Sequence, residues 1–341
     1  MLESTLQGEI LSYNFLGLAF PDRLRVLFLF MNRGLKGLIA EGRMSVSHTG
    51  EMAALATAVS WTVGATLFEQ TTKRAGTFVV NLVKVTLALM FLSALFWITE
   101  GHPFPAIVPV EAVPWMVLSG FFGFVVGDLF LFQAYATVGA RVSMLVYALS
   151  PAFTAIGSAL LMNEHLKPLS IIGMALTLGG IIVVVLHRKN GETAGRSQRL
   201  LGALFALIAS VCQAAGYLFS KKAMLFCDPL AATYMRLAVA IPGFGIGLLV
   251  AGDSQRLVRS IRDRFIAPRL FAASFFGPFV GVGLSMFALK NGNAGVVSTI
   301  MAMPPVFLIA PAVLVFREQV TLRDVIGAII AVGGVALFFL R

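Results

Sequence analysis

The sequence predicts an all-α integral membrane protein whose ten transmembrane helices form two inverted five-helix repeats. Three observations predict it. Hydrophobic residues make up 58% of the chain and charged residues only 12%, about half the charged share of a soluble domain. Water-facing surfaces need that missing charge, and lipid-facing surfaces cannot hold it. The apolar residues also fall in continuous runs, and a helix of ~20 such residues crosses ~30 Å of hydrocarbon. Finally, scarce residue types in the second half repeat those of the first at one fixed offset.

Residues 1–49 stand apart as an N-terminal extension. Arg23, Arg25, Arg33, Lys36 and Arg43 surround an apolar patch, Val26–Met31, too short to span. The segment lacks the long apolar region and small-residue cleavage site of a signal peptide. It reads either as a basic helix lying on the membrane or as a stretch ahead of a true start at Met44 or Met52, with no part in function.

From residue 50 the runs fall near 50–69, 76–97, 113–136, 140–162, 168–186, 200–219, 230–251, 268–289, 294–316 and 322–340. They are continuously apolar, which excludes the alternating strands of a membrane barrel. Helices meet the demand of hydrocarbon that every backbone group be satisfied internally. The basic stretch 188–199 is the one polar linker, and it separates a first repeat, 50–187, from a second, 200–341.

The repeat is read at a shift of 154. Phe121-Phe122-Gly123 falls on Phe275-Phe276-Gly277, Gly127 on Gly281, and Ala140 on Ala294. Pro151 falls on Pro305, Phe153 on Phe307, Glu164 on Glu318, Gly173 on Gly327, and Gly179-Gly180 on Gly333-Gly334. A shift of 152 earlier in each half puts Lys84 on Arg236. Joint recurrence of proline, glutamate and paired glycine is hard to reach by chance, whereas leucine matches carry little. With five spans per half, an odd number, successive repeats enter the membrane with opposite orientation. That is the inverted-repeat plan of secondary transporters, which bind substrate near the midplane.

Other chemistries are disfavoured. There is no GxxxxGK[ST] phosphate loop and no HExxH site, and Cys212 and Cys227 form neither a disulfide framework nor a metal-ligand spacing. The net charge of +10 comes from short breaks between apolar runs, as in membrane loops, and predicts no nucleic-acid partner. The rival class is a polytopic enzyme acting on a lipid-linked substrate; such enzymes cluster acids or histidines at one membrane face, and the acids here are dispersed.

Lys84, Asp128, Arg236 and Lys290 are the ionisable residues placed within spans, where they are expensive and usually face the bundle interior. The alternative for the basic ones is snorkelling to the interface. The 154 shift sets Asp128 on Val282, well inside the eighth span, so its carboxylate needs Lys84 or Arg236 as a partner, or else a wet cavity. Unpaired, it would suit proton loading, because desolvation favours the neutral carboxyl. Trp61, Gln133, Tyr147, Gln213 and Tyr217 are further candidates for the lining of a substrate cavity, with packing as the alternative for each. Pro151, Pro304 and Pro305 are expected to kink the fourth and ninth spans, either as cavity wall or for packing. Glu164 and Glu318 follow those spans, where a structural role at the next helix N-terminus is favoured over a gate. Gly179-Gly180 and Gly333-Gly334 read as close helix contacts.

The pattern Pro151-x-Phe153, Glu164, Gly173, Gly179-Gly180, repeated from Pro305, resembles the EamA domain of the drug/metabolite transporter superfamily over about residues 52–340. Lys84 and Arg236 sit where that domain often carries a basic residue; lysine is a departure that weakens a bidentate anion role there. The resemblance implies a secondary transporter, an exporter of small metabolites such as amino acids, in the bacterial inner membrane. It implies a small-molecule substrate, no bound cofactor, a proton as a possible coupling ion, and a monomer or homodimer.

Orientation divides the two arguments. Loops after odd-numbered spans hold fourteen Lys or Arg and those after even-numbered spans, with Arg341, hold five. The positive-inside rule then puts the odd loops in the cytoplasm and both termini outside, whereas the resemblance implies cytoplasmic termini.

Overall fold

The computed structural model describes residues 46–105, 108–162, 168–186, 196–291, 300–317 and 319–339. All regular structure in these residues is helical: α1 (Val46–Ala75), α2 (Thr77–Glu100), α3 (Val113–Ser119), α4 (Gly127–Tyr147), α5 (Ser150–Met162), α6 (Pro168–Leu186) and α7 (Arg196–Ala223). They are followed by α8 (Pro229–Val250), α9 (Ser254–Arg262), α10 (Ile266–Ser274), α11 (Val282–Asn291), α12 (Pro304–Phe307), α13 (Ile309–Leu314) and α14 (Leu322–Phe339). π-Helical segments Gly120–Val126 and Phe275–Gly281 join α3 to α4 and α10 to α11 without a break.

Six helices among the described residues are long and apolar enough to cross a membrane: Thr49–Ala75, Thr77–Glu100, Val113–Tyr147, Ser197–Ala223, Leu230–Val250 and Ile266–Ser285. They correspond to the first three and the sixth to eighth expected runs. The fourth and ninth runs differ from expectation. Each is interrupted, at Ala148–Leu149 and at Ala302–Met303, so α5 and α12 begin just after the interruption.

This corrects the expected role of the prolines. Pro151 is the second residue of α5, and Pro304 and Pro305 open α12. A helix interior loses a hydrogen bond to proline, but the first turn has N–H groups without partners anyway. The chain therefore breaks before the proline instead of kinking through it. Pro304 and Pro305 are buried. Glu164 and Glu318 lie outside the described residues.

Two of the four described glycines with positive φ join or bend long helices, where a side chain would strain the backbone. Gly76, with φ 85°, is the single residue between α1 and α2. Gly139, with φ 82° and ψ 162°, lies in the gap between the third and fourth expected runs and bends the long helix there.

Helices associate in hydrocarbon through close packing and polar contacts, because lipid supplies no hydrophobic drive between them. Small residues accordingly mark the crossings. A Cβ on Gly64 of α1 would stand 3.0 Å from Cα of Gly277 in the second π segment, and one on Gly216 of α7 2.8 Å from Cα of Gly123 in the first. The helix α6 packs along α14, α4 along α7, α11 along α1, and α2 along α8. At the α6–α14 crossing, Gly180 lies against the Gly327 carbonyl and Ala331, while Gly334 lies against Thr177 and the Gly173 carbonyl. Gly179 and Gly333 face open space, so only one glycine of each pair makes the contact expected of both.

Candidate functional site

The site is built where the first π segment meets α2 and α8. Glycines at 120, 123 and 127 leave the wider π turn room against neighbouring backbone, and such turns are frequent at functional positions. Asp128 follows immediately, 9% exposed, and its Oδ2 lies 2.5 Å from Nζ of Lys84, itself 4% exposed. Both charges are removed from water, so each stands only because the other is there. Aromatic faces complete the lysine's surroundings: its ammonium is 4.3 Å from the Phe132 ring centroid and 5.8 Å from that of Phe124.

Asn81, one turn before Lys84 on α2, is fully buried. Its Nδ2 donates to the Thr77 carbonyl at 3.1 Å and faces that of Asp128 at 3.5 Å, while Oδ1 is buried without a hydrogen-bond partner.

Arg236 of α8 approaches the same region from the other half of the chain. Its guanidinium lies 4.7 Å from the Phe124 centroid and 6.0 Å from that of Tyr217, so Phe124 stands between the two cations. Asp128, Tyr147 and Tyr217 are within its electrostatic reach. Nε of Arg236 is buried with no hydrogen-bond partner. Its Nη2 lies 2.7 Å from where a Cβ on Gly123 would be, and Oε1 of Gln213 lies 3.6 Å from that same point. Among the described residues, two cations and one carboxylate therefore share this part of the interior, and the carboxylate is paired with Lys84.

The remaining candidates separate. Lys84, Asp128, Arg236, Tyr147, Tyr217 and Gln213 come together. Trp61 packs its indole on Gly281 of the second π segment. Gln133 lies five residues past Asp128, about 7.5 Å along the helix axis, and accepts a hydrogen bond from Thr77 Oγ1 at 3.0 Å. It lines a separate cavity of about 360 Å³ with Thr72, Lys73, Asp253 and Arg256, at the junction of α1 and α2. The side chain of Lys290 is outside the described residues.

Sequence reasoning missed Asn81, although its spacing to Lys84 puts both on one helix face. It also missed Glu69, a lone acid at the end of the first run. Glu69 is 1% exposed; its Oε2 accepts from the Ala140 backbone N–H at 2.6 Å and its Oε1 from Lys73 Nζ at 2.5 Å. The carboxylate thus caps the helix that restarts after Gly139. Arg141 and Asp324, both buried and 3.8 Å apart, tie α4 to α14; at the ends of runs they read as loop charges. Among the described residues, no group of three or more His, Cys, Asp or Glu is arranged to hold a metal ion.

Apolar helices around a buried ionisable cluster define a multi-pass membrane protein with a polar site between its helices. The chain belongs to the EamA-like transporter family, matched over residues 48–186 and again over 200–340. It is 26% identical over 200 residues to a probable amino-acid metabolite efflux pump of Escherichia coli, covering 57% of this chain and 66% of the pump. It is 23% identical over 198 residues to an uncharacterized transporter of Clostridium kluyveri, covering 57% and 62%. A third relative, an uncharacterized transporter of Synechocystis, is 24% identical over 226 residues, covering 61% and 65%. The matches thus span a little under two thirds of these relatives' lengths. A crystal structure at 16% identity shares the fold with a TM-score of 0.52, covering 85% of this chain and 96% of the other.

Proposed function

We propose that the protein is a secondary transporter that exports small carboxylate-bearing metabolites, amino acids or related compounds, across the bacterial inner membrane by alternating access. One observation carries the substrate class: Arg236 brings a second positive charge into a part of the interior whose single carboxylate, among the described residues, is paired with Lys84. Arg236 is half-buried with its Nε unmet and, among the described residues, no ion-pair partner of its own, and a substrate carboxylate would supply a counter-charge through the planar guanidinium. The probable amino-acid metabolite efflux pump among the relatives supports the same substrate class.

The alternating-access part rests on ten spans in two inverted repeats. Reciprocal contacts favour that plan. Gly64 on Gly277 answers Gly216 on Gly123, and α1 with α11 answers α7 with α4. Such exchange of equivalent partners is what a two-fold relation between the halves produces.

Proteoliposomes loaded with labelled amino acids and given a proton gradient test the proposal. Wild-type protein should move at least one amino acid and not the corresponding amine without a carboxylate, and Arg236→Gln should abolish that movement at equal incorporation. Equal transport of acid and amine, or full activity in Arg236→Gln, would overturn the carboxylate assignment.

A further inference from the structure

The helix α9 takes no part in the site, and its residues are too short and too charged to cross a membrane. Its nine residues are Ser-Gln-Arg-Leu-Val-Arg-Ser-Ile-Arg, lying between the end of α8 and the start of α10. At 100° per residue, Leu257, Ile261 and Val258 form one stripe, while Arg256, Arg259 and Arg262 lie on the rest of the surface. The protein uses only part of that stripe. Leu257 packs on the core and Ser260 is buried, whereas Val258 and Ile261 are 51% and 55% exposed. The helix rests on α10 and on the adjoining ends of α1 and α2.

The charges around it are unbalanced. Residues 253–269 hold five arginines and two aspartates. Asp253 engages Arg256 at 3.2 Å, and Asp263 spends an oxygen on the N–H groups of Phe265 and Ile266 at 2.7 and 2.9 Å. No carboxylate pairs with Arg259, Arg262 or Arg264 among the described residues; Arg259 finds only the neutral Gln255 amide at 3.4 Å. Beside them, Arg74 and Arg269 stack on Phe265 at 3.6 and 3.5 Å from its centroid, adding two more guanidinium groups to the same corner.

We infer that α9 is an interfacial helix that binds the anionic phospholipids of the leaflet it faces. Val258 and Ile261 enter the acyl boundary, and Arg259, Arg262 and Arg264 take the headgroup phosphates. A free phosphate would explain the arginines and leave the exposed valine and isoleucine without a role. A bilayer surface accounts for both, because an amphipathic basic helix gains from apolar burial and from anionic lipid together. The helix also ends at Arg262, one short turn before the apolar span that starts at Ile266. The inference does not depend on the substrate or on the direction of transport.

The test uses the full chain in mixed micelles titrated with phosphatidylglycerol or with phosphatidylcholine, followed by thermal melting. The melting temperature should rise further with the anionic lipid. In Arg259→Gln/Arg262→Gln/Arg264→Gln the half-maximal phosphatidylglycerol concentration should increase about a hundredfold, from roughly fivefold per arginine, with the phosphatidylcholine response unchanged. An unchanged anionic response in the triple variant, or its reproduction by inorganic phosphate in the wild type, would overturn the inference. A second reading places a fluorophore at Ile261→Cys, with Cys212 and Cys227 replaced by alanine, in bilayers carrying brominated acyl chains. Quenching supports insertion of this face, and an unquenched, water-like signal rejects it.

Discussion

Thr177 of α6 shares its one Oγ1 hydrogen between the Gly173 carbonyl of its own helix at 2.8 Å and the carbonyl of Ala331 of α14 at 3.2 Å, the latter across 154 positions of sequence. Thr177 and Ala331 are residues that the repeat aligns with each other, and around them Gly180 and Gly334 press into the opposite helix. A larger side chain at either glycine must therefore separate two helices, whereas the adjacent glycine has free space. Gly180→Leu is expected to cost about 1–3 kcal/mol, as overpacking does, and Gly179→Leu close to nothing. Melting of the two purified variants checks the contrast; equal loss in both would place the helix contact elsewhere.

The Lys84–Asp128 pair predicts a thermodynamic cycle. Removing one partner leaves a buried charge alone, at a cost of about 3–5 kcal/mol, so Lys84→Met and Asp128→Asn should each lower stability. Lys84→Met/Asp128→Leu should recover most of it. The same variants separate pairing from proton coupling. An Asp128→Asn protein that inserts normally and loses only gradient-driven transport assigns the carboxyl a coupling role, while poor insertion assigns it to structure. Wild-type transport and pH response in that variant reject the coupling role.

Glu69 predicts an effect far from its own helix. Its Oε2 is held by the Ala140 N–H, where the chain restarts after the bend at Gly139. Glu69→Ala leaves that buried donor unmet and should cost about 1–3 kcal/mol; Glu69→Gln keeps an acceptor and should cost less. Hydrogen exchange at Ala140 reads it directly, and unaltered protection in Glu69→Ala would refute the cap.

Asp263 predicts a pH dependence outside the spans. The backbone N–H groups of Ile266 and Phe265 hold its carboxyl below the ordinary value of 3.8. A carboxyl lowered by folding stabilises at pH values above its unfolded pKa, and the contribution disappears as pH falls through its folded pKa. Asp263→Ala should therefore melt below the wild type at neutral pH, with the gap closing progressively below pH 3.8. A gap that persists in acid would mean that the side chain acts by packing.

Much of the fold was legible because hydrocarbon imposes simple rules on composition. The start of most long helices, the break near Gly139 and the equivalence of Gly180 with Gly334 all follow from run lengths and spacing. The interruptions at Ala148–Leu149 and Ala302–Met303 did not, since an apolar run reads the same whether the helix inside it is whole or broken. Of the site, Lys84, Asp128 and Arg236 stood out as charges in apolar runs. Phe124, buried Asn81 and Glu69 did not, because an aromatic, an amide or an acid near a run's end is ordinary there.

What the sequence determined by itself is the class of protein, the placement of its charges relative to its apolar runs, and the internal repeat; each is a one-dimensional property that a bilayer reads directly. Only the tertiary structure decided which charges meet. Asp128 could have turned to Lys84 or to Arg236, and the approach of α2 to the first π segment gives it Lys84 at 2.5 Å. Arg236 is left beside Phe124 with a buried Nε unmet. A choice between partners on different helices depends on distances of a few ångströms across the bundle, and these are set by how closely glycine lets the helices approach.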